Sequence, residues 1–351
     1  MKHSVYFAYP GDLEAKTGGY GYDRKVISEL RNLGWHVDLV PLGAGYPFPD
    51  HDTILRTEEM LGALPEKSLV LIDGLAYGAL GDIAKRLAQR ITFIALVHHP
   101  LASEGNITEQ EQSTLLASER LALKHASTVF VTSSSTCQQL IENYDVPGAK
   151  IVVAKPGTEQ NVQAERTSQV PIILSVGSII PRKGYDVLVA ALNKIKHLAW
   201  ECRIVGSRTM DAHCDATLQQ QIIENQLSDR VVLVGQIDDV RSEFTRSDIF
   251  ALASRYEGYG MVFAEALSLG LPIVACDAGA VSEVVPADAG ILVAPDDSDA
   301  FANALKRIVT DRELANGMAE ASFRQSKLLP SWTDTGKLFS EVLEKAANER
   351  I

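Results

Sequence analysis

Cysteine is scarce in this chain of 351 residues: there are four, Cys137, Cys202, Cys214 and Cys276, and no two form a Cys-x-x-Cys pair. Such spacing excludes a disulfide framework and a thiolate zinc site, leaving buried or idle thiols in a reducing compartment. Long apolar runs are missing as well. No stretch approaches the ~18 residues that a spanning helix needs. The apolar segment near the start, Val5–Tyr9, is too short for the core of a secretion signal. These absences lead to the expectation of a cytoplasmic protein with no integral membrane segment, peripheral to a membrane at most. Basic tracks are also lacking. Lys85-Arg86 and Arg182-Lys183 are isolated pairs, and the net charge of −12 divides as −5 over residues 1–160 and −7 over the rest. Nucleic acid is therefore not an expected partner.

What is present is ordinary for a globular protein: 46% hydrophobic and 22% charged residues rule against disorder. The length exceeds one ordinary core, so two domains are expected. Short apolar runs alternate with amphipathic stretches twice over. Strands are predicted in the first half at Ser4–Tyr9, His36–Val40, Leu69–Ile72, Thr92–Val97, Thr128–Thr132 and Ile151–Ala154. In the second half they fall at Ile172–Val176, Glu201–Val205, Val231–Val234, Ile249–Ala253, Ile273–Ala275 and Gly290–Val293. Helical periods separate them, among them Arg24–Leu33, Ala79–Arg90, Thr114–His125, Tyr185–Ile195, Thr217–Gln226, Phe263–Leu269 and Ala300–Val309. Near-continuous Val, Ile and Leu strands joined by helices indicate parallel sheets covered on both faces. Pro156–Val170 breaks the pattern and reads as a linker. The division is a domain over 1–165, a second over 166–330, and a C-terminal helix within 331–351. In doubly wound sheets ligands sit at the carboxyl ends of the strands, so function is expected in the loops that follow them.

The sharpest motif is Glu257-Gly-Tyr-Gly-Met-Val-Phe-Ala-Glu265, which follows a strand and opens a helix. Gly258 and Gly260 let backbone approach a ligand closely. The free N–H groups near Met261 and Val262, at the positive end of the helix dipole, suit a diphosphate. Glu265, about one turn into the helix, is placed to reach the hydroxyls of a ribose, and Glu257 lies on the sugar side. The plainer reading is acidic residues near a helix N-terminus, where the dipole favours them. Pro181-Arg182-Lys183-Gly184 follows another strand and places two cations for phosphate oxygens. A solvated turn is its alternative. In the first half, Thr17-Gly18-Gly19-Tyr20-Gly21 reads as a glycine loop between the first strand and helix Arg24–Leu33, able to approach a phosphate or sugar. Dinucleotide binding is the rival, but the loop from Tyr9 to Gly18 is too long and Asp38 lies inside the second strand rather than at its end. His98 and His99 end the fourth strand, where an imidazole can orient an acceptor hydroxyl or be merely structural. Asp73, closing the third strand, lines an acceptor site or caps a helix. Asp211, His213 and Cys214 lack metal-ligand spacing, and Thr132–Thr136 reads as a helix start.

The order Gly-x-x-x-Pro-Arg-Lys-Gly, then Ser-Arg-Tyr-Glu-Gly-Tyr-Gly with the second Glu, then Gly-Leu-Pro-Ile-Val-Ala resembles the family-4 retaining glycosyltransferases of GT-B fold. The resemblance implies two Rossmann-like domains facing a central cleft, and a metal-independent hexosyltransferase without a cofactor. A UDP- or GDP-linked sugar is the implied co-substrate and a saccharide, small molecule or lipid-linked glycan the acceptor. It further implies that Glu257 meets the donor sugar, Glu265 the ribose and Lys183 the diphosphate. The implied donor set is Gly18, Gly19, Arg182, Lys183, Gly258, Tyr259, Gly260, Met261, Val262 and Glu265. His98 and Glu257 are the catalytic candidates; Tyr20, Asp73 and His99 belong to the acceptor side. The helix after Trp332 is expected to pack back on the first domain. One departure stands out: members of the family commonly carry Arg where this chain has Ser178, and Arg182 is the candidate replacement. An epimerase or phosphorylase of the same fold is the near alternative, and a nicotinamide-dependent oxidoreductase the distant one.

Overall fold

The structure, a computed structural model, describes residues 3–103, 107–164 and 169–348. It divides into two compact units, residues 1–157 with 330–351, and residues 158–329. The boundary expected between residues 165 and 166 lies outside the described residues. Thr158–Ala164 belongs to the second unit, where Ala164 N–H donates to the Leu269 carbonyl and the Asn161 amide to Ser268 Oγ.

In the first unit the chain runs β1 (Ser4–Tyr9), α1 (Gly18–Asn32), β2 (His36–Pro41), α2 (His51–Gly62), β3 (Leu69–Asp73), α3 (Gly74–Tyr77), α4 (Gly81–Leu87), β4 (Thr92–Val97), α5 (Glu109–His125), β5 (Thr128–Val131), α6 (Ser134–Tyr144) and β6 (Ile151–Val153). The strands form one parallel sheet in the order β2-β1-β3-β4-β5-β6. Every residue of β3 is buried, as both-face coverage requires. In the second unit come β7 (Ile172–Val176), α7 (Tyr185–Lys194), β8 (Glu201–Val205), α8 (Ala212–Glu224), β9 (Val231–Gly235), α9 (Val240–Thr245), β10 (Ile249–Leu252), α10 (Met261–Ser268), β11 (Ile273–Cys276), α11 (Val281–Val284), β12 (Gly290–Val293), α12 (Ser298–Thr310) and α13 (Arg312–Ser326). Their parallel sheet has the order β12-β11-β10-β7-β8-β9. Each sheet is doubly wound, and the direction of winding reverses between β1 and β3 in one, and between β7 and β10 in the other. Crossovers leaving such a pair of strands diverge, and the gap at their carboxyl ends is where these folds take ligands.

Strands fall at the predicted runs, but α1, α5 and α8 start five or six residues earlier than their apolar periods suggest. The helix after β1 begins at Gly18, so Gly18, Gly19 and Tyr20 are its first turn and not a loop. Thr17 caps it, accepting from Tyr20 N–H. Glycine is a poor helix former, which disguised the turn, yet the cap supplies the start. Glu109 opens α5 through a reciprocal capping box between Thr108 and Glu111. Among the helices not predicted, α2, α9 and α13 are likewise begun by Asp50, Asp239 and Asp311 as caps.

The last helix, α14 (Trp332–Asn348), returns to the first unit. Phe339 stacks on Phe130 with centroids 3.9 Å apart, and Trp35 Nε1 donates to Ser340 Oγ at 2.9 Å. Gly336 lets α14 close on α1, since a Cβ there would strike Glu29.

Candidate active site

In the second unit the site grows from the two switch-point strands. The turn Pro181–Lys183 follows β7 and ends at Gly184, whose φ of 64° is left-handed. A Cβ at Gly184 would collide with the Ala253 carbonyl, so only glycine lets this turn pass across the end of β10. Arg255 fastens the two loops together. Its N–H donates to the Arg182 carbonyl at 2.8 Å and its guanidinium to the Pro181 carbonyl, with both Asp186 oxygens and Asp296 beyond. Arg182 answers by donating Nη1 to the Tyr256 carbonyl at 2.9 Å.

Glu257 sits at the centre of that junction, 5% exposed. Its Oε1 accepts from Lys183 Nζ at 2.7 Å and from Ser254 Oγ at 2.6 Å, while Arg182 Nη1 lies 3.6 Å from Oε2. Burial pushes the carboxyl up, but Lys183, Arg182 and the Ser254 hydrogen bond outweigh it and hold the pKa below the usual value. Burial pulls the Lys183 ammonium down, with Glu257 opposing. A buried ion pair of this kind rarely stabilises a fold on balance. It does keep both charges ready at a strand end.

Three residues on, Gly260 takes φ 87° and opens α10 with no side-chain cap. A Cβ at Gly260 would come within 2.6 Å of the Phe263 ring. Gly279 makes similar room for the Glu257 carbonyl, which accepts from Ala280 N–H at 2.9 Å. The loop therefore passes through Gly258 and the buried Tyr259 to an uncapped helix start at the half-buried Met261 and Val262. Orphan N–H groups and the helix dipole at such a start attract an anion. Glu265, half-buried on α10, is pushed up to about 7 by burial and then by Glu159.

In the first unit the start of α1 and the ends of β3 and β4 bring a second cluster together. His98 Nε2 stands 3.1 Å from Asp23 Oδ1 and 3.9 Å from Asp73 Oδ2. Asp23 is fully buried and Asp73 nearly so. Burial pushes Asp23 up to about 7, and burial together with Asp23 raises Asp73 well above its usual range. Burial lowers His98 and Asp73 raises it, the former prevailing. One ligand atom from each of the three lies within 4.8 Å of the others. At 3.1 Å the His98–Asp23 contact is a hydrogen bond. Asp73 also caps α3, accepting from Leu75 N–H at 2.7 Å. Gly19 lies against the ring: a Cβ there would be 3.4 Å from His98 Cδ2. Tyr20 donates to the Pro10 carbonyl at 2.8 Å, and burial and nearby carboxylates push its hydroxyl up to about 12.

The expected residues thus gather as two sets, Arg182, Lys183 and Glu257 beside the start of α10, and His98, Asp73 and Gly19 around one imidazole. The half-buried His99 is not part of the three-residue cluster. Asp211 is the cap of α8, accepting from Cys214 N–H, and Ser133 caps α6. Ser254 and Arg255 stand in the Ser-Arg-Tyr-Glu-Gly-Tyr-Gly run without an expected role of their own, and Asp23 was not singled out. The only signal for Asp23 is a carboxylate on the apolar face of α1, among Tyr22, Val26, Ile27 and Leu30.

Known proteins resemble both units. Residues 20–157 match the model of the glycosyl transferase 4-like domain, and residues 158–325 that of glycosyl transferases group 1. A lipopolysaccharide core biosynthesis mannosyltransferase of Rhizobium leguminosarum is 30% identical over 153 residues, 42% of this chain and 43% of that protein. The alpha-D-kanosaminyltransferase of Streptomyces kanamyceticus is 31% identical over 153 residues, 43% of this chain and 39% of that one. The matches thus span less than half the length of these curated relatives. In fold, the chain is similar to a sucrose-phosphate synthase from Thermosynechococcus elongatus, with TM-score 0.82 and 22% identity over 97% of this chain and 98% of that one. It also resembles HepE of Anabaena, solved with UDP and glucose, with TM-score 0.78 and 19% identity over 96% and 99% of the two chains.

Proposed function

The chain belongs to the glycosyltransferases of GT-B fold, and from that premise we propose that it moves a sugar from a UDP- or GDP-linked donor to a hydroxyl of a saccharide-bearing acceptor. The observation that carries this reading is the Lys183–Glu257 pair beside the uncapped start of α10. A cation, orphan amides and a helix dipole at one strand end match the charge of a diphosphate. Glu265 suits the vicinal hydroxyls of a ribose, and Glu257 the hydroxyls of the sugar. UDP is supported by the likeness to HepE, whose structure holds it. GDP is supported by a relative in Corynebacterium glutamicum named as GDP-mannose-dependent, 27% identical over 207 residues.

In the step we propose, the bond from the anomeric carbon to the diphosphate oxygen breaks and a bond to the acceptor oxygen forms on the same face. The acceptor proton passes to the departing diphosphate, so configuration is retained. Lys183 and the start of α10 bear the growing negative charge, which is electrostatic preorganisation rather than covalent chemistry. That work requires no divalent cation in the scheme, and activity in EDTA is expected. His98 and Asp73 serve the acceptor side from the first unit.

A thermal-shift screen of UDP-, GDP- and ADP-sugars tests the donor. Saturation at about a hundred times the dissociation constant adds about 2.7 kcal/mol of stability. Release of nucleoside diphosphate that depends on an added saccharide, with a retained anomer by NMR, supports transfer. Turnover without any acceptor points instead to epimerisation, turnover with free phosphate alone points to a phosphorylase, and stabilisation by NAD alone overturns the donor assignment.

A further inference from the structure

We infer that Asp23 is a positioning residue for His98: its buried carboxylate accepts a hydrogen bond from Nε2–H and so fixes Nδ1 as the acceptor atom that the imidazole offers to a sugar hydroxyl. The inference rests on the transferase reading, and it concerns a residue to which that reading gave no role. Asp23 stands on the core face of α1 with no exposed surface. A carboxylate there carries a desolvation cost that apolar packing would avoid. Its Oδ1 is 3.1 Å from His98 Nε2, whereas its Oδ2 is buried without a hydrogen-bond donor among the described residues. A carboxylate oxygen of Asp73 lies within 4.8 Å of one of Asp23, whose charge raises the Asp73 carboxyl. One proton on that carboxyl pair removes the repulsion between them and leaves one negative charge facing the ring.

The ring itself is held on three sides. Tyr22 meets it edge-on at 5.3 Å between centroids, Gly19 lies against Cδ2, and Asp23 takes Nε2. Tyr22 is in turn fixed by its hydroxyl on the Ala154 carbonyl at 2.8 Å and by the Trp332 and Phe339 rings. The other charged or titratable groups felt by the carboxyl pair are Tyr20 and Arg24, with Asp12 acting on Tyr20. Arg24 is held by the carbonyls of Leu13 and Ala15. In neutral imidazole one nitrogen donates and the other accepts, and the partner of the first decides which. With Nε2–H committed to Asp23, Nδ1 is left to receive a hydroxyl proton in a hydrogen bond. An imidazole free to change tautomer would present a donor there half of the time and repel the same hydroxyl.

Histidine-specific 15N and 13C labelling of the full chain reads the tautomer, with the His98 signals assigned by loss in His98→Gln. The expected result at pH 7.5 is the Nε2–H form in the native protein. Asp73→Asn, which leaves Asp23 in place, should keep it. Asp23→Asn should lose the preference and lower kcat by about 10- to 100-fold with little change in donor KM, using UDP-glucose and GDP-mannose as probes. An Nδ1–H form in the native protein overturns the inference, as does an Asp23→Asn variant with unaltered tautomer and kcat. If Asp23→Asn fails to fold, the native and Asp73→Asn spectra still decide. Should neither sugar nucleotide nor any other donor support transfer while the Nε2–H form is observed, the transferase reading fails and the tautomer assignment stands.

Discussion

Lys183 Nζ lies 2.7 Å from Glu257 Oε1, and the two residues come from separate loops that follow adjacent strands, β7 and β10. The pair therefore measures whether the two loops are in register. In the proposed reaction the ammonium faces the growing charge on the diphosphate. A hydrogen bond to a charged group contributes about 1.5–3 kcal/mol, so Lys183→Ala should lower kcat by about 10- to 150-fold. Steady-state release of nucleoside diphosphate checks this, and wild-type turnover in the purified variant would falsify the role. Arg182 is held to the Tyr256 carbonyl and should not rescue the loss.

How much of this was legible in advance differs by residue. Strand positions were, because buried parallel strands are nearly continuous runs of Val, Ile and Leu. The motifs of the second unit were also readable, since Glu257, Gly260, Lys183 and Glu265 lie close to glycines that mark their loops. Asp23 was not, because a helix position says nothing of which distant side chain it will meet; its partners are 50 and 75 residues away in sequence. Arg255 was hidden for the same reason, as Asp186 and Pro181 reach it only through the fold. The start of α1 was misread because two glycines were weighed as loop residues, whereas the Thr17 cap begins a helix there.

Glu265 gives donor binding a pH dependence. Its pKa is pushed up to about 7 by burial and by Glu159. Only the ionised carboxylate accepts from both hydroxyls of a ribose, so affinity should rise as pH increases through 7. Below that value it should weaken by up to about tenfold per pH unit. Titration of a sugar nucleotide between pH 5.5 and 8.5 measures it. A UDP- or GDP-sugar is suited because its diphosphate does not titrate in that range. Glu265→Gln should bind more weakly at pH 8 and show a flat profile. An unchanged slope in the variant would assign the titration to another group.

Gly260→Ala should impair both stability and function. At φ 87° an alanine is strained, at a cost of about 1–2 kcal/mol. The added methyl would also press on the Phe263 ring, which packs edge-on against Phe250 with centroids 5.5 Å apart. Relief requires α10 to shift, and its first N–H groups with it. The expected result is a lower melting temperature together with a larger fall in nucleotide affinity than in Gly18→Ala, where a Cβ meets nothing within 4 Å.

Phe339→Ala tests whether the C-terminal helix is integral to the first unit. Its ring is fully buried, stacked on Phe130 and set edge-on to Tyr22. Removing a buried phenyl costs about 3–5 kcal/mol, a large share of a typical domain's stability. Chemical denaturation should show the loss, and the amides of α1 should exchange faster because Tyr22 loses its support. Exchange confined to α14 itself would mean that the helix is only laid on the surface.

The carboxyl pair makes stability depend on pH in a direction opposite to that of most acidic groups. Asp23 titrates near 7 in the folded chain but near its ordinary value of 3.8 when unfolded. The folded state therefore binds more protons between those values, and stability falls as pH rises through that window. A rise of about three units sets an upper bound of about 4 kcal/mol, reduced because Asp73 shares the proton. Below pH 4 the contribution is fully present; above 7 it is gone. Melting temperatures between pH 4.5 and 8.5 should fall more steeply in the native protein than in Asp23→Asn, which has no proton to release. Asp73→Asn leaves in place the burial that raises Asp23, so it should retain part of the slope while keeping the His98 tautomer. If Asp23→Asn retained the native slope, the titration would belong to another group and Asp23 would be ionised throughout this range.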